Sequence, residues 1–288
     1  MDIKSGIRVR IKNLIGYFSN HVYREKNTGL VVVDLMDFPV LRGKKGIITG
    51  GSSGIGFAIA RRCIECGACV VITGRNERNL QNAVNELNEI ELDSASYVIS
   101  DLSEITVDEA TKLFNSKGYM DFLVNNAGIS IQSLFPDVRD NDYENILNTN
   151  LRSHVIMADS YIKKLDEKGC KGNIVNIAST SGMAGITYPY GISKSGMVGF
   201  TKYIAGRYAD TVRCNAVSPD ITVSNITQWS RFDPHGNLYN KSARKRRTYR
   251  AEEIAEIVLF LLSDDSEIVN GQVFTCDNGG VLAVSSAG

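Results

Sequence analysis

Tyr190 and Lys194 stand four residues apart in YGISK, a spacing that puts both on one face of a helix. A free phenol titrates near pH 10 and is a poor proton donor or acceptor at neutral pH. A neighbouring ammonium favours the phenolate and is expected to lower that value. The pair is therefore a candidate acid–base device, able to give a proton to a carbonyl oxygen or take one from an alcohol. Tyr188 lies two residues earlier and lacks a lysine at +4.

A second chemical signal lies about 140 residues upstream. TGGSSGIG, Thr49–Gly56, follows the short apolar run KGIIT and leads into IGFAIARRC, which reads as a helix. Gly50, Gly54 and Gly56 permit a tight turn. Missing side chains would let a pyrophosphate approach the backbone, and the helix start offers free N–H groups and partial positive charge. Ser52, Ser53 and Ile55 belong to the same turn. The next strand, CVVITGRN, has Thr73 where such folds often carry a ribose-binding acid, and Arg75 follows. An arginine with no competing carboxylate suits a 2′-phosphate, so NADP(H) is expected over NAD(H).

These residues need a scaffold. KGIIT, CVVIT, SYVIS, DFLVN, NIVNIA, VRCNAV and QVFTC are short, apolar and mostly rich in Val and Ile, as buried parallel strands are. Helix-length segments lie between them, including Asn76–Ile90, Val107–Ser116 and Glu252–Leu262. The alternation predicts a single-domain α/β fold, a doubly wound Rossmann-type parallel sheet of about seven strands with helices on both faces.

As a set, three motifs in this order resemble the short-chain dehydrogenases/reductases, in their short single-domain subfamily. They are T-G-x-x-x-G-x-G at Thr49–Gly56, N-N-A-G at Asn125–Gly128 and Y-x-x-x-K at Tyr190–Lys194. The resemblance runs from about Gly43 to Leu282. It adds Ser179 in NIVNIASTSG as the group that hydrogen-bonds the reacting oxygen, with Ser181 a poorer match to the strand-end position. It also adds Asn150 in ILNTNL, tying a water to Lys194 as a proton relay. It implies that Lys194 holds the nicotinamide ribose, that Asp101 and Leu102 meet the adenine, and that Asn126, Ala127 and Gly128 line the adenine ribose. Asn126 has the alternative of simply joining strands. Pro219, Ile221 and Thr222 would pass the nicotinamide end. Two departures stand out: Asp220 occupies the usual glycine of a Pro-Gly pair, and only eleven residues separate Ser179 from Tyr190.

The expected activity is an oxidoreductase exchanging hydride between a nicotinamide cofactor and a carbonyl or secondary alcohol, with a 3-oxoacyl thioester, keto-acid or keto-sugar as the specific substrate. A non-catalytic nucleotide-binding scaffold is the alternative, and nucleotide-sugar epimerisation a weaker one for so short a chain. Residues 220–250 are expected to cover substrate. Trp229, Phe232, Tyr239 and the run Arg244–Arg247 lie there, so an anionic substrate is in view, although Arg247 also fits a plain helix start.

Composition narrows the rest. With 43% apolar and 22% charged residues the chain is of ordinary globular type, and a formal net charge of zero gives no support to nucleic-acid binding. No apolar run is long enough to span a membrane and no secretory signal is legible, so a cytoplasmic protein is expected. Cys63, Cys66 and Cys69 have metal-like spacing but would fall on two different elements, and no metal is expected. Residues 1–43 stand apart as an N-terminal extension before the catalytic domain, 44–288. Ile3, Ile7, Ile11, Leu14, Phe18 and Val22 recur at helical spacing among basic residues. This helix reads as packing on the protein or a second subunit, with peripheral membrane contact through residues 1–22 as the alternative. A homodimer or homotetramer is implied by the resemblance alone.

Overall fold

In the computed structural model the described residues are 39–130, 139–185, 188–223 and 247–281. They belong to one compact unit, Phe38–Gly288. The expected amphipathic helix near the N-terminus lies outside them, as do Trp229, Phe232, Tyr239 and Arg244–Arg246.

All seven expected strands form: β1 (Lys45–Thr49), β2 (Cys69–Gly74), β3 (Ala95–Ile99), β4 (Phe122–Asn125), β5 (Gly172–Ile177), β6 (Val212–Pro219) and β7 (Val273–Cys276). They make one parallel sheet in the order β3-β2-β1-β4-β5-β6-β7. Chain direction across the sheet reverses between β1 and β4. In such sheets a crevice opens at that switch point, beyond the carboxyl ends of the strands. Thr49, Asn125, Ile177 and Pro219 all lie at that end.

The helices are α1 (Gly54–Glu65), α2 (Glu77–Asn88), α3 (Val107–Lys117), α4 (Asp140–Leu147), α5 (Ser153–Lys168), the short α6 (Thr180–Ala184), α7 (Tyr190–Arg207) and α8 (Ala251–Leu262). Local sequence explains their starts. Asn76 accepts a hydrogen bond from the Asn79 N–H at 2.9 Å, capping α2. Thr106 and Glu109 form a reciprocal capping box on α3. That box, through the Thr106 backbone N–H first, holds the Glu109 carboxyl below its usual range.

On one face α3, α5 and α7 pack on the sheet through Ile47, Leu123, Ile174, Phe114, Met157 and Ile204. The Tyr161 ring meets Phe114 at 5.5 Å, and its hydroxyl donates to the Met120 carbonyl at 3.0 Å. On the other face α1 packs on α8, where Arg62 and Glu256 pair at 2.6 Å. Arg213 donates to the carbonyls of Leu261 at the end of α8 and of Ser263 and Ser266 beyond it.

A buried polar line fixes α7 against the sheet. Asn125 Nδ2 donates to Asn176 Oδ1 at 2.9 Å, and Asn176 Nδ2 donates to Thr201 Oγ1 at 2.9 Å. Buried amides of this kind are costly to orphan. Asn176→Ala should therefore destabilise the protein by about 2–3 kcal/mol, seen in urea denaturation as a lower midpoint at unchanged slope.

Candidate active site

The carboxyl ends of the strands enclose a cleft of about 590 Å³. The glycine turn, Arg75 and Asp101 line one part of it, and Ser179, Tyr190, Lys194 and Pro219–Thr222 line another. Every residue expected at the site borders this cleft except Gly56 and Asn150.

Tyr190 is the first residue of α7, and Lys194 follows one turn later. The Lys194 ammonium donates to the Ile177 carbonyl at 2.7 Å and lies 5.8 Å from the centroid of the Tyr190 ring. Ser179 ends the segment after β5 and caps α6, its hydroxyl accepting from the Ser181 N–H at 3.2 Å. The same side chain hydrogen-bonds the Tyr190 hydroxyl. Ser179 rather than Ser181 thus meets the tyrosine. Tyr188 stacks on Tyr143 at 6.2 Å and does not line the cleft.

One electrostatic expectation is overturned. Tyr190 is half-buried, and desolvation raises its pKa, with the Ser179 hydrogen bond only partly offsetting. The Lys194 ammonium, 5.8 Å from the ring centroid and bonded to Ile177, does not reverse that rise. Lys194 itself is lowered to about 8 by burial. Desolvation outweighs the attraction between the two groups.

Asn150 lies in a π-helical turn, Asn148–Arg152, between α4 and α5, not in a regular helix. Its Oδ1 accepts from the Ile129 N–H at 2.8 Å, and its Nδ2 donates to the Ile129 carbonyl at 2.9 Å and to Ser193 Oγ at 3.2 Å. It clamps the segment after β4 from below. A Cβ on Gly128 would sit 3.3 Å from Asn150 Oδ1 and 3.6 Å from Lys194 Nζ, so the three meet closely.

At the glycine turn, Gly50 has φ 65° and would place a Cβ 2.9 Å from Ala127 Cα. A Cβ on Gly56 would overlap the Gly50 carbonyl and the Asn126 amide. Gly56 is therefore required by protein packing, which is why it does not face the cleft. Ser53 makes no side-chain cap on α1, and the first turn of α1 carries no acidic residue. Its leading N–H groups remain available to an anion. Asn126 joins the strand ends: its Nδ2 donates to the carbonyls of Thr49 at 2.9 Å and Gly50 at 3.2 Å.

Arg75 is exposed at the cleft rim. Thr73 is fully buried, and its hydroxyl has no hydrogen-bond partner among the described residues. Asp101 accepts from the Ser103 N–H at 3.0 Å and its hydroxyl at 2.7 Å, while Leu102 joins the core cluster as well as bordering the cleft. The absent side chain at Gly50, the uncapped α1 and the orphaned Thr73 hydroxyl fit a dinucleotide.

Sequence reasoning missed Thr180 and His154. Thr180 Oγ1 donates to Asp220 Oδ1 at 3.3 Å in the cleft; its place in the STS run beside Ser179 was the available signal. His154 is fully buried one turn after Asn150, and burial together with the Lys194 charge lowers its pKa to about 3, leaving it neutral. The anionic-substrate reading loses one of its cations, since Arg247 pairs with both oxygens of Glu253, at 2.8 and 2.9 Å. Cys63, Cys66 and Cys69 are divided between α1, its C-cap and β2, and no metal-holding group occurs among the described residues.

Comparison with known proteins agrees with this geometry. The family described as enoyl-(acyl carrier protein) reductase matches residues 50–280. A 3beta-hydroxysteroid dehydrogenase 2 of Eggerthella lenta is 36% identical over 255 residues, covering 84% of this chain and 96% of the relative. The 3-oxoacyl-(acyl-carrier-protein) reductase FabG of Rickettsia prowazekii is 34% identical over 248 residues, covering 85% and 99%. Among solved structures, a putative NAD(P)-dependent gluconate 5-dehydrogenase from Beutenbergia cavernae with bound NADP matches with TM-score 0.76 at 28% identity, over 85% of this chain and all of that one. The chain belongs to the short-chain dehydrogenase/reductase family, oxidoreductases that move hydride between a nicotinamide dinucleotide and a carbonyl or alcohol carbon.

Proposed function

We propose that residues 44–288 form one catalytic domain that reduces a ketone or oxidises a secondary alcohol with NADP(H) in preference to NAD(H). The observation that carries this is the shared cleft: an anion-ready glycine turn and Arg75 border the same cavity as the hydrogen-bonded Ser179–Tyr190 pair and Lys194. The bound dinucleotide would supply or accept the hydride.

Every other step belongs to the chain. Gly50, Ser52, Ser53, Gly54 and Ile55 hold the pyrophosphate against the start of α1, with Gly56 keeping the turn closed. Arg75 reads the 2′-phosphate, with no carboxylate at position 73 to repel it. Asp101, Leu102 and the Asn126–Gly128 segment border the adenosine, and Pro219, Ile221 and Thr222 the nicotinamide. Ser179 and the Tyr190 hydroxyl grip the substrate oxygen, and Tyr190 donates or removes the proton. The raised phenol suits donation in the reductive direction; a cationic ring arriving in the cleft would favour the phenolate needed for oxidation. Lys194 holds the ribose and feeds the proton path, which Asn150 and the segment it clamps keep in register.

A neutral substrate, such as a cyclic ketone or a keto-sugar, fits the described lining better than a keto-acid, because Asp220 borders the cleft and Arg247 is committed to Glu253. Residues 220–250 would cover it. A cytoplasmic homodimer or homotetramer completes the reading. Exposed Val155 on α5, with Ile192 and Tyr203 on α7, supports association, and no described helix is long and apolar enough to cross a membrane.

Tyr190→Phe should reduce ketone turnover by at least about 100-fold while leaving the cofactor dissociation constant within roughly threefold; retained turnover would sink the acid–base assignment. In fluorescence titration the wild type should bind NADPH more tightly than NADH, and Arg75→Ala should remove most of that preference, a loss of about tenfold in NADPH affinity from one charge-assisted contact. Lys194→Met should be inactive yet more stable at pH 7. A lysine lowered to about 8 binds its proton less well folded than unfolded, so its burial is costly below pH 8 and the cost fades as pH rises toward 10.5. A shift of this size corresponds to about 3 kcal/mol. Urea denaturation should show the variant's advantage at pH 7 shrinking by pH 10.

A further inference from the structure

We infer that Asp220 makes this cleft select the oxidised over the reduced cofactor, because its carboxylate borders the end of the cavity that must hold the nicotinamide ring. The inference rests on the nicotinamide reading above and concerns which redox form is held more tightly.

The location follows from contacts on the page. Thr180 is the residue after Ser179, and its hydroxyl donates to Asp220 Oδ1 at 3.3 Å. Ser179 hydrogen-bonds Tyr190, the proposed proton donor to the substrate oxygen. A hydride can reach the carbon bearing that oxygen only if the ring touches it, so the ring must lie beside Ser179 and within a few ångströms of Asp220. The carboxylate is also held in place. Its backbone N–H donates to the Cys276 carbonyl at 3.2 Å, its carbonyl accepts from Thr222 Oγ1 at 2.8 Å, and Tyr249 N–H donates to the Ile221 carbonyl at 2.9 Å. The residue is half-buried rather than turned out to solvent.

Among the described residues no cation neutralises its charge. The Thr180 bond is long and donated by a neutral hydroxyl. Among the described residues no cation forms an ion pair with Asp220: Lys194 bonds to Ile177, and Arg247 is paired with Glu253. The field reaches into the protein, since after burial the Asp220 charge is the next cause raising the Tyr249 phenol.

The oxidised ring carries a positive charge and the reduced ring carries none. A carboxylate half-shielded from water attracts the first and is indifferent to the second. That difference is a bias between two bound forms, and a group favours a form only through such differential interaction. Holding the oxidised form more tightly makes hydride removal from an alcohol more uphill on the protein than in water, and hydride delivery to a ketone correspondingly more favourable.

The test measures binding rather than turnover. Dissociation constants for the oxidised and reduced forms are determined by calorimetry, using whichever of the phosphorylated or unphosphorylated pair the wild type binds. They are repeated for Asp220→Asn, Asp220→Ser and Asp220→Glu. Adenosine 2′,5′-bisphosphate, or AMP for the unphosphorylated pair, has no ring and reports on the folded cleft in each variant. Asn and Ser should weaken the oxidised form relative to the reduced form at least fivefold, Glu should retain the wild-type ratio, and the ringless ligand should bind all four proteins alike. If Asn or Ser binds the ringless ligand normally and keeps the wild-type ratio, the inference is overturned and the nicotinamide reading stands. If the wild type binds neither redox form, both fall together.

Discussion

The hydroxyl of Thr49 holds the two halves of the sheet together at the point where the site opens. It accepts hydrogen bonds from the N–H groups of Asn126 at 2.9 Å and Ala127 at 3.0 Å, and donates to the Val124 carbonyl at 3.3 Å. The Asn126 amide answers with bonds to the Thr49 and Gly50 carbonyls. Thr49 ends β1 and Asn126 follows β4, the neighbours between which strand order reverses. A sheet that fans apart there exposes backbone groups that water would otherwise have to satisfy. Closing them with one hydroxyl and one amide leaves the glycine turn free of that duty, so its N–H groups can face the cleft.

The glycines then have two separate jobs that their spacing does not distinguish. Gly50 needs a positive φ and close approach to Ala127, and Gly56 must leave room for the Gly50 carbonyl. Both constraints are internal, and together they set the turn at the height where α1 begins. Substitution at Gly56 would disturb the turn from behind without touching a ligand. A motif that reads as ligand approach is therefore half a packing rule, and the ligand benefits from a surface the protein needed to be flat.

Much of this was legible in the sequence because it depends on periodicity and side-chain type. The seven mostly Val- and Ile-rich runs became the seven strands, and the Tyr190–Lys194 spacing put the two residues one turn apart at the start of α7. What the sequence could not convey is where a donor spends its hydrogen bonds. Lys194 was expected to lower Tyr190, yet its ammonium reaches Ile177, and burial decides both shifts in the opposite sense. Asn150, expected to tie a water to Lys194, sits in a π-helical turn with its amide bonded to the Ile129 backbone and Ser193 Oγ. Arg247, read either as part of a substrate-facing basic run or as a plain helix start, is bound to Glu253 in the first turn of α8, as the second reading has it. For Lys194 a backbone carbonyl took the hydrogen bond that spacing alone could not assign.

The same competition explains why the reactive end of the cleft carries costly groups. A buried, desolvated lysine, a phenol raised by desolvation and a neutral His154 one turn after Asn150 are each worse for stability than apolar residues of similar size. They are tolerated together because the surrounding sheet is rigid: the Asn125–Asn176–Thr201 line fixes α7, and Tyr161 and Arg213 tie distant segments to backbone carbonyls. On the proposed reading, ribose hydroxyls would give the desolvated Lys194 ammonium further acceptors, and a charged ring would pull Tyr190 toward the phenolate. The groups that burden stability are then the same ones the proposed chemistry uses.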